Sequence, residues 1–209
     1  MPEHFPFSCP SLPYDYISLN PVVAPDTLYL HHVKLLGGYV QTLNYLLAAL
    51  PQYQNHSLEQ LVSEDLELPP VLRNNVRHYA GGIYAHDFFF DGMCPPQEAN
   101  VPFSQLGSRL EAAYGSFGDF QKRFKEAAFN LLGSGWVWLV CEPGGELHIV
   151  LSPNHEIPDP ALFRPLLAFD KWEHAYFCRF PADLGGWVDN WFTAVDWAKA
   201  ERRFLRATQ

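Results

Sequence analysis

From Leu28 onward the apolar residues Leu30, Val33, Leu36, Val40, Leu43, Leu47 and Leu50 recur at helical spacing, opened by Pro25-Asp26-Thr27 and stopped by Pro51. A run of that length predicts a long helix with one apolar face. Pro69-Pro70 opens a second helix that runs to about Phe90. Only a short helix, Leu58 to Leu61, interrupts the connection, so the two long helices are expected to fold back on each other as an antiparallel hairpin. Histidines ride on both: His31 and His32 on the first, His78 and His86 on the second. Gly37-Gly38 inside the first helix costs about 1 kcal/mol per glycine relative to alanine, which implies a close backbone approach or open space beside it.

Past Cys94-Pro95-Pro96 the pattern changes. Phe103 to Ala113 and Phe117 to Leu132 read as helices, the second capped by Ser116 with Asp119 in its first turn. Gly133-Ser134-Gly135 then breaks the period. Trp136 to Val140 and Leu147 to Leu151 read as strands joined by a Pro143-Gly144-Gly145 turn, and Leu166 to Phe169 as a third. Helices return from Ala175 and from about Trp187 to Leu205. The expected class is therefore α+β: an N-terminal arm and helical hairpin over 1–94, then an α+β domain over 95–209 with a small, three-stranded, antiparallel sheet. Residues 1–24, rich in proline, are expected to wrap onto the body as an extended arm.

A formal net charge of −9 and the lack of any basic run argue against nucleic acid, whose phosphates need a positive footprint. The four cysteines, Cys9, Cys94, Cys141 and Cys178, form no C-x-x-C pair, so buried free thiols are expected rather than a zinc knuckle or a disulfide framework. No apolar run approaches the length of a membrane span, and no basic-then-apolar segment opens the chain; the expectation is a cytoplasmic protein with no membrane partner.

The densest chemistry lies in Asp170-Lys171-Trp172-Glu173-His174-Ala175-Tyr176. Asp170 and His174 are four residues apart, so a helical turn would face them the same way. A strand ending at Asp170 and followed by a tight turn would also converge them. Either way this is metal-ligand spacing. Taken singly, each of the nine histidines reads as an ordinary surface or core residue, and only their company gives any of them a role.

That company resembles the iron or manganese superoxide dismutases along nearly the full chain. The matching residues are Leu12-Pro13-Tyr14, His31 with Tyr39 eight residues on, His86, Tyr114-Gly115-Ser116-Phe117, Gly133-Ser134-Gly135-Trp136-Val137-Trp138-Leu139-Val140, and the segment from Asp170 to Tyr176. The resemblance implies that His31, His86, Asp170 and His174 hold one iron or manganese ion per subunit, with a water or hydroxide as fifth ligand. Three neutral imidazoles and a carboxylate suit either metal. The implied activity is conversion of superoxide to dioxygen and hydrogen peroxide, with no nucleic-acid or membrane partner. Tyr39 falls on the family's gateway tyrosine, and Trp136 and Trp172 on the aromatic wall around the metal. Gly82 stands where iron enzymes often keep a glutamine, and His155 where the manganese type supplies one, which makes His155 the implied partner of the metal-bound solvent. Glu173 matches the glutamate that bonds the neighbouring subunit's copy of His174, and Tyr176 matches the interface tyrosine, so a homodimer is expected.

Two departures stand out. Leu35 replaces the histidine that the family usually places four residues after its first ligand, and Leu36, Gly37 and Gly38 follow it. Where the family has an Asn-x-Arg-Pro segment, this chain reads Ala182-Asp183-Leu184-Gly185-Gly186, leaving Lys34 as the positive charge expected at the mouth. An apolar, widened approach of this kind would also suit a divergent iron- or manganese-dependent oxidoreductase, oxygenase-like, acting on an organic substrate on the same scaffold.

Overall fold

In a computed structural model describing residues 3–209, the first helical run is built from three pieces. They are α1 (Pro25–Tyr29), a π-helical segment (Leu30–Leu36) and α2 (Gly37–Ala48), with right-handed helical dihedrals at both joints. The apolar period predicts an unbroken α-helix here, and the π segment is the difference. A π turn takes in one more residue than an α turn, which rotates the helix beyond it. His31 and His32 both come to lie buried in this widened stretch. Among the described residues nothing outside their own helix backbone lies within 4 Å of where a Cβ on Gly37 or Gly38 would sit, so these glycines border open space, not a close approach.

After α3 (Leu58–Ser63), started by a capping box between Ser57 and Gln60, α4 (Pro70–Asp91) packs against α2 and α3 to complete the helical hairpin. The N-terminal arm lies along it as expected. Phe7, Leu19, Val22 and Val23 are buried, and the Tyr14 hydroxyl donates to the Phe90 carbonyl at 2.9 Å.

Two helices, α5 (Ser104–Tyr114) and α6 (Phe117–Asn130), precede the sheet, α6 capped by the Ser116 hydroxyl accepting from Asp119 N–H. The strands are β1 (Gly135–Cys141), β2 (Leu147–Pro153) and β3 (Arg164–Asp170), antiparallel in the order β2-β1-β3. The central β1 is buried along its whole length, which is why Trp136-Val137-Trp138-Leu139-Val140 shows no polar alternation. Its register sets Trp136 opposite Asp170. The last segments are α7 (Glu173–Tyr176), α8 (Leu184–Thr193) and α9 (Trp197–Ala207).

The single helix expected from Trp187 to Leu205 is thus two. Val195 bridges to Met93, Asn100 Nδ2 donates to the carbonyls of Phe192, Thr193 and Val195, and the Asp196 carboxylate restarts the helix by accepting from Lys199 N–H. The N- and C-terminal halves are pinned by Arg203, which donates to Asp91 and to the Leu166 carbonyl while its guanidinium lies 3.6 Å from the centre of the Phe88 ring. Among the described residues no helix is long and apolar enough to cross a membrane.

Candidate metal centre

Four side chains from four different elements point at one spot between the hairpin and the sheet. His31 comes from the π segment, His86 from α4, Asp170 from the last position of β3, and His174 from α7. Because β3 ends at Asp170 and α7 begins at Glu173, the strand-and-turn geometry, not a shared helical face, converges Asp170 with His174. Trp172 N–H donates to Asp170 Oδ1 at 2.7 Å and fixes the carboxylate's orientation. Its other oxygen, Oδ2, lies 3.3 Å from His31 Nε2, 3.7 Å from His86 Nε2 and 3.4 Å from His174 Nε2.

These groups are arranged for a cation. The four ligand atoms fall within 4.8 Å of one another, and His31, His86 and Asp170 are buried. Among the described residues His31 Nε2 and Asp170 Oδ2 have no hydrogen-bond partner, a costly state for buried polar atoms unless something else fills the space between them. His86 Nδ1–H donates to the Gly82 carbonyl at 2.6 Å, which leaves the Nε2 lone pair facing the cluster. Burial lowers the pKa of His31. It lowers that of His86 further, with His31 adding to the effect. For Asp170 burial acts upward, but His174 and His31 outweigh it and hold the carboxyl below the usual range. Neutral imidazoles at His31 and His86 beside an ionised Asp170 are the protonation states that metal binding requires. Three nitrogens and one oxygen fit iron or manganese.

Around this cluster stands a second layer. Trp136 Nε1–H donates to His155 Nδ1 at 3.1 Å. An indole can only donate, so the neutral imidazole carries its proton on Nε2, which faces the Tyr39 hydroxyl at 3.3 Å. His155 is 3% exposed and stacks on Trp172 with ring centres 4.5 Å apart. Burial, with a contribution from His78, brings its pKa down to about 3, while burial and the nearby Asp170 push the Tyr39 phenol up to about 12. Both are neutral at physiological pH.

Two glycines of α4 make this layer possible. A Cβ on Gly82 would lie 2.7 and 2.8 Å from Tyr39 ring carbons and 3.2 Å from His155 Cδ2. A side chain reaching in from position 82 is therefore incompatible with His155 and Tyr39 as placed. A Cβ on Gly81 would lie 1.9 Å from the His155 carbonyl oxygen, so the loop after β2 rests directly on the helix.

The remaining residues singled out by sequence lie outside the cluster. Lys34 and Glu173 are exposed, Leu35 is half-buried, and Tyr176 is buried against Trp187. Sequence reasoning missed His78, whose ring centre is 4.8 Å from that of His155 and 5.8 Å from that of Tyr39. The signal was present, since His78, Gly82 and His86 recur every four residues on one helix face. A second group, Glu142, Glu146 and His148, meets at the β1–β2 hairpin, where His148 Nε2 sits 2.9 Å from Glu142 Oε1 at the surface.

Comparison with known proteins bears on this arrangement. The family described as iron/manganese superoxide dismutases, alpha-hairpin domain, matches residues 6–94, and the corresponding C-terminal domain matches residues 102–203. The manganese superoxide dismutase 3 of Leptolyngbya boryana is 34% identical, over 98% of this chain and 85% of its own. The manganese superoxide dismutase of Listeria innocua is 34% identical over 95% of this chain and 97% of its own. That of Thermus thermophilus is 32% identical over 97% and 99%.

Proposed function

This chain belongs to the iron/manganese superoxide dismutase family, and on that premise we propose that it converts two superoxide ions and two protons to dioxygen and hydrogen peroxide, using one iron or manganese ion held by His31, His86, Asp170 and His174. The observation that carries this reading is the buried pair of unpartnered atoms, His31 Nε2 and Asp170 Oδ2, facing His86 and His174 across a space that a cation would fill. When bound there, either metal supplies one-electron chemistry by cycling between +2 and +3. The chain's own residues supply the rest. Asp170 contributes the negative charge, and the Trp172 amide keeps it aimed. Tyr39 presents a neutral phenol next to His86, oriented by the N–H of His155. The stacked rings of His155 and Trp172, with Trp136 behind, help keep bulk water from the buried ligands His31, His86 and Asp170. Lys34 is an exposed cation near the first ligand, and it opposes the chain's net charge of −9 in drawing in an anion. Superoxide consumption by protein loaded with iron or manganese tests the reading. A rate no better than that of the same concentration of free aqueous metal would overturn it.

An organic substrate would need walls at the approach, and Gly37 and Gly38 face open space instead. The oxygenase-like alternative therefore draws no support from the segment that suggested it. Leu35 lies one helical turn before Tyr39, so Leu35→His should give the phenol a second polar neighbour and raise turnover, by up to about tenfold. A fall in turnover with full metal content would show that leucine is fitted to another task.

The working assembly in this reading is a symmetric homodimer. Supporting it are Glu173, exposed beside a His174 whose side chain stays 26% accessible, and the exposed apolar residues Leu30, Val33 and Phe177 on the elements that carry two of the ligands or follow them. Sedimentation should give the mass of two chains; the mass of one would contradict it.

A further inference from the structure

Beside the metal centre a cleft of 620 Å³ opens between α3, α4 and the loop after β2, lined in part by Asn74, Arg77, His78, Asn154, His155 and Asp159. It bears on how protons reach Tyr39. The Tyr39 hydroxyl meets His155 Nε2; His155 borders the cleft too, but it is almost wholly buried and its other ring nitrogen, Nδ1, is taken by Trp136, so it has no free nitrogen to turn toward solvent. One turn before Tyr39, Leu35 is apolar. His78 is different. One side of its half-buried ring packs against Tyr39 and His155, with ring centres 5.8 and 4.8 Å away, and it also lines the cleft. Its half-buried ring reaches both the phenol's surroundings and solvent.

We propose that His78 supplies protons from the cleft to Tyr39, taking each one up from solvent and passing it to the phenol oxygen, through a bridging water where the side chains do not touch. This inference rests on the dismutase reading above. Each hydrogen peroxide formed consumes two protons, and a proton given up by Tyr39 leaves a phenolate that the charged His78 restores to the phenol. The resulting neutral imidazole regains its proton from water in the cleft, so the exchange balances without any further reactant. Tyr39 from α2, Arg77 and Tyr79 beside it on α4, and His155, Glu156 and Asp159 from the loop are the charged or titratable groups around His78; α3 contributes Val62 and Ser63, which do not titrate. Burial lowers the pKa of His78 from its ordinary value, which favours release of the proton over its retention.

Since His78 acts through Tyr39, its loss should limit turnover at saturating superoxide and leave capture at low superoxide intact. In metal-loaded His78→Gln, kcat should fall by about tenfold with kcat/KM and metal content unchanged, and kcat should lose the part of its pH dependence that His78 provides. In His78→Ala, which opens space for a diffusing base, added imidazole should restore kcat in proportion to its concentration. An active parent whose variants keep the parental kcat and pH profile, or whose lost kcat imidazole does not restore, would overturn the inference alone. A loaded parent no faster than free metal would overturn the dismutase reading and this inference with it.

Discussion

His86→Ala will purify without stoichiometric iron or manganese, and the loss will not be recovered by adding either metal at micromolar concentration. His86 is the most deeply set of the three imidazoles, wholly buried and packed edge-on against Trp136 with ring centres 4.9 Å apart. Its Nδ1–H is committed to the Gly82 carbonyl, so its Nε2 lone pair cannot turn away from the cluster. Alanine leaves His31, Asp170 and His174, and of these His174 sits on a four-residue helix with part of its side chain exposed. Removing even an outer-layer partner of a metal ligand typically lowers affinity by about 10- to 100-fold, so loss of a ligand should exceed about 100-fold. The check is metal content after dialysis against a chelator, alongside the far-ultraviolet circular dichroism of the same sample. Full occupancy in a folded variant would refute the ligand assignment.

Gly81→Ala will destabilise the protein strongly, and more than Gly82→Ala at the neighbouring position of α4. The Cβ at position 81 would be placed 1.9 Å from the His155 carbonyl oxygen, and the obstacle is backbone, which cannot rotate aside. The loop carrying His155 must lift from the helix, loosening the hydrogen bonds of His155 to Trp136 and Tyr39. Overpacking of this kind costs about 3 kcal/mol. For a chain of this size that corresponds to a fall in Tm of roughly 6–12 °C. Gly82→Ala meets the edge of the Tyr39 ring instead, and a side chain can shift, so it should disturb activity more than stability. Calorimetry on the two variants checks the contrast, and an unchanged Tm for Gly81→Ala would contradict the contact.

Several features of this fold were written plainly in local sequence, and others were not. Pro25, Pro70, Ser57 and Ser116 mark helix starts through their own backbone or side-chain chemistry, and the structure starts helices there. Trp136 to Val140 reads as a buried strand because both of its faces are covered. The π segment at Leu30–Leu36 left no such trace, since the apolar period on either side continues through it. The break at Val195 depends on Met93 and Asn100, about a hundred residues away, so no local reading of the last helices could find it.

The candidate site divides in the same way. Asp170 and His174 could be paired from spacing, and the resemblance added His31 and His86 to them. What spacing could not show is why Gly81 and Gly82 are glycines or how His155 is held. Those answers lie in the contacts that a loop more than seventy residues beyond Gly82 makes with α4, with Trp136 on β1 and with Tyr39 on α2. His78 was visible only as a helix residue until the cleft beside it gave it solvent on one side and Tyr39 on the other.

Whether His31, His86, Asp170 and His174 close around a single ion can be read from anomalous diffraction by crystals of the metal-loaded protein. Data collected at the iron and manganese absorption edges should show one peak per chain, bounded by His31 Nε2, His86 Nε2, Asp170 Oδ2 and His174 Nε2. A peak elsewhere, such as at Glu142, Glu146 and His148, or an ion that any one of the four does not touch, would contradict the four-ligand site.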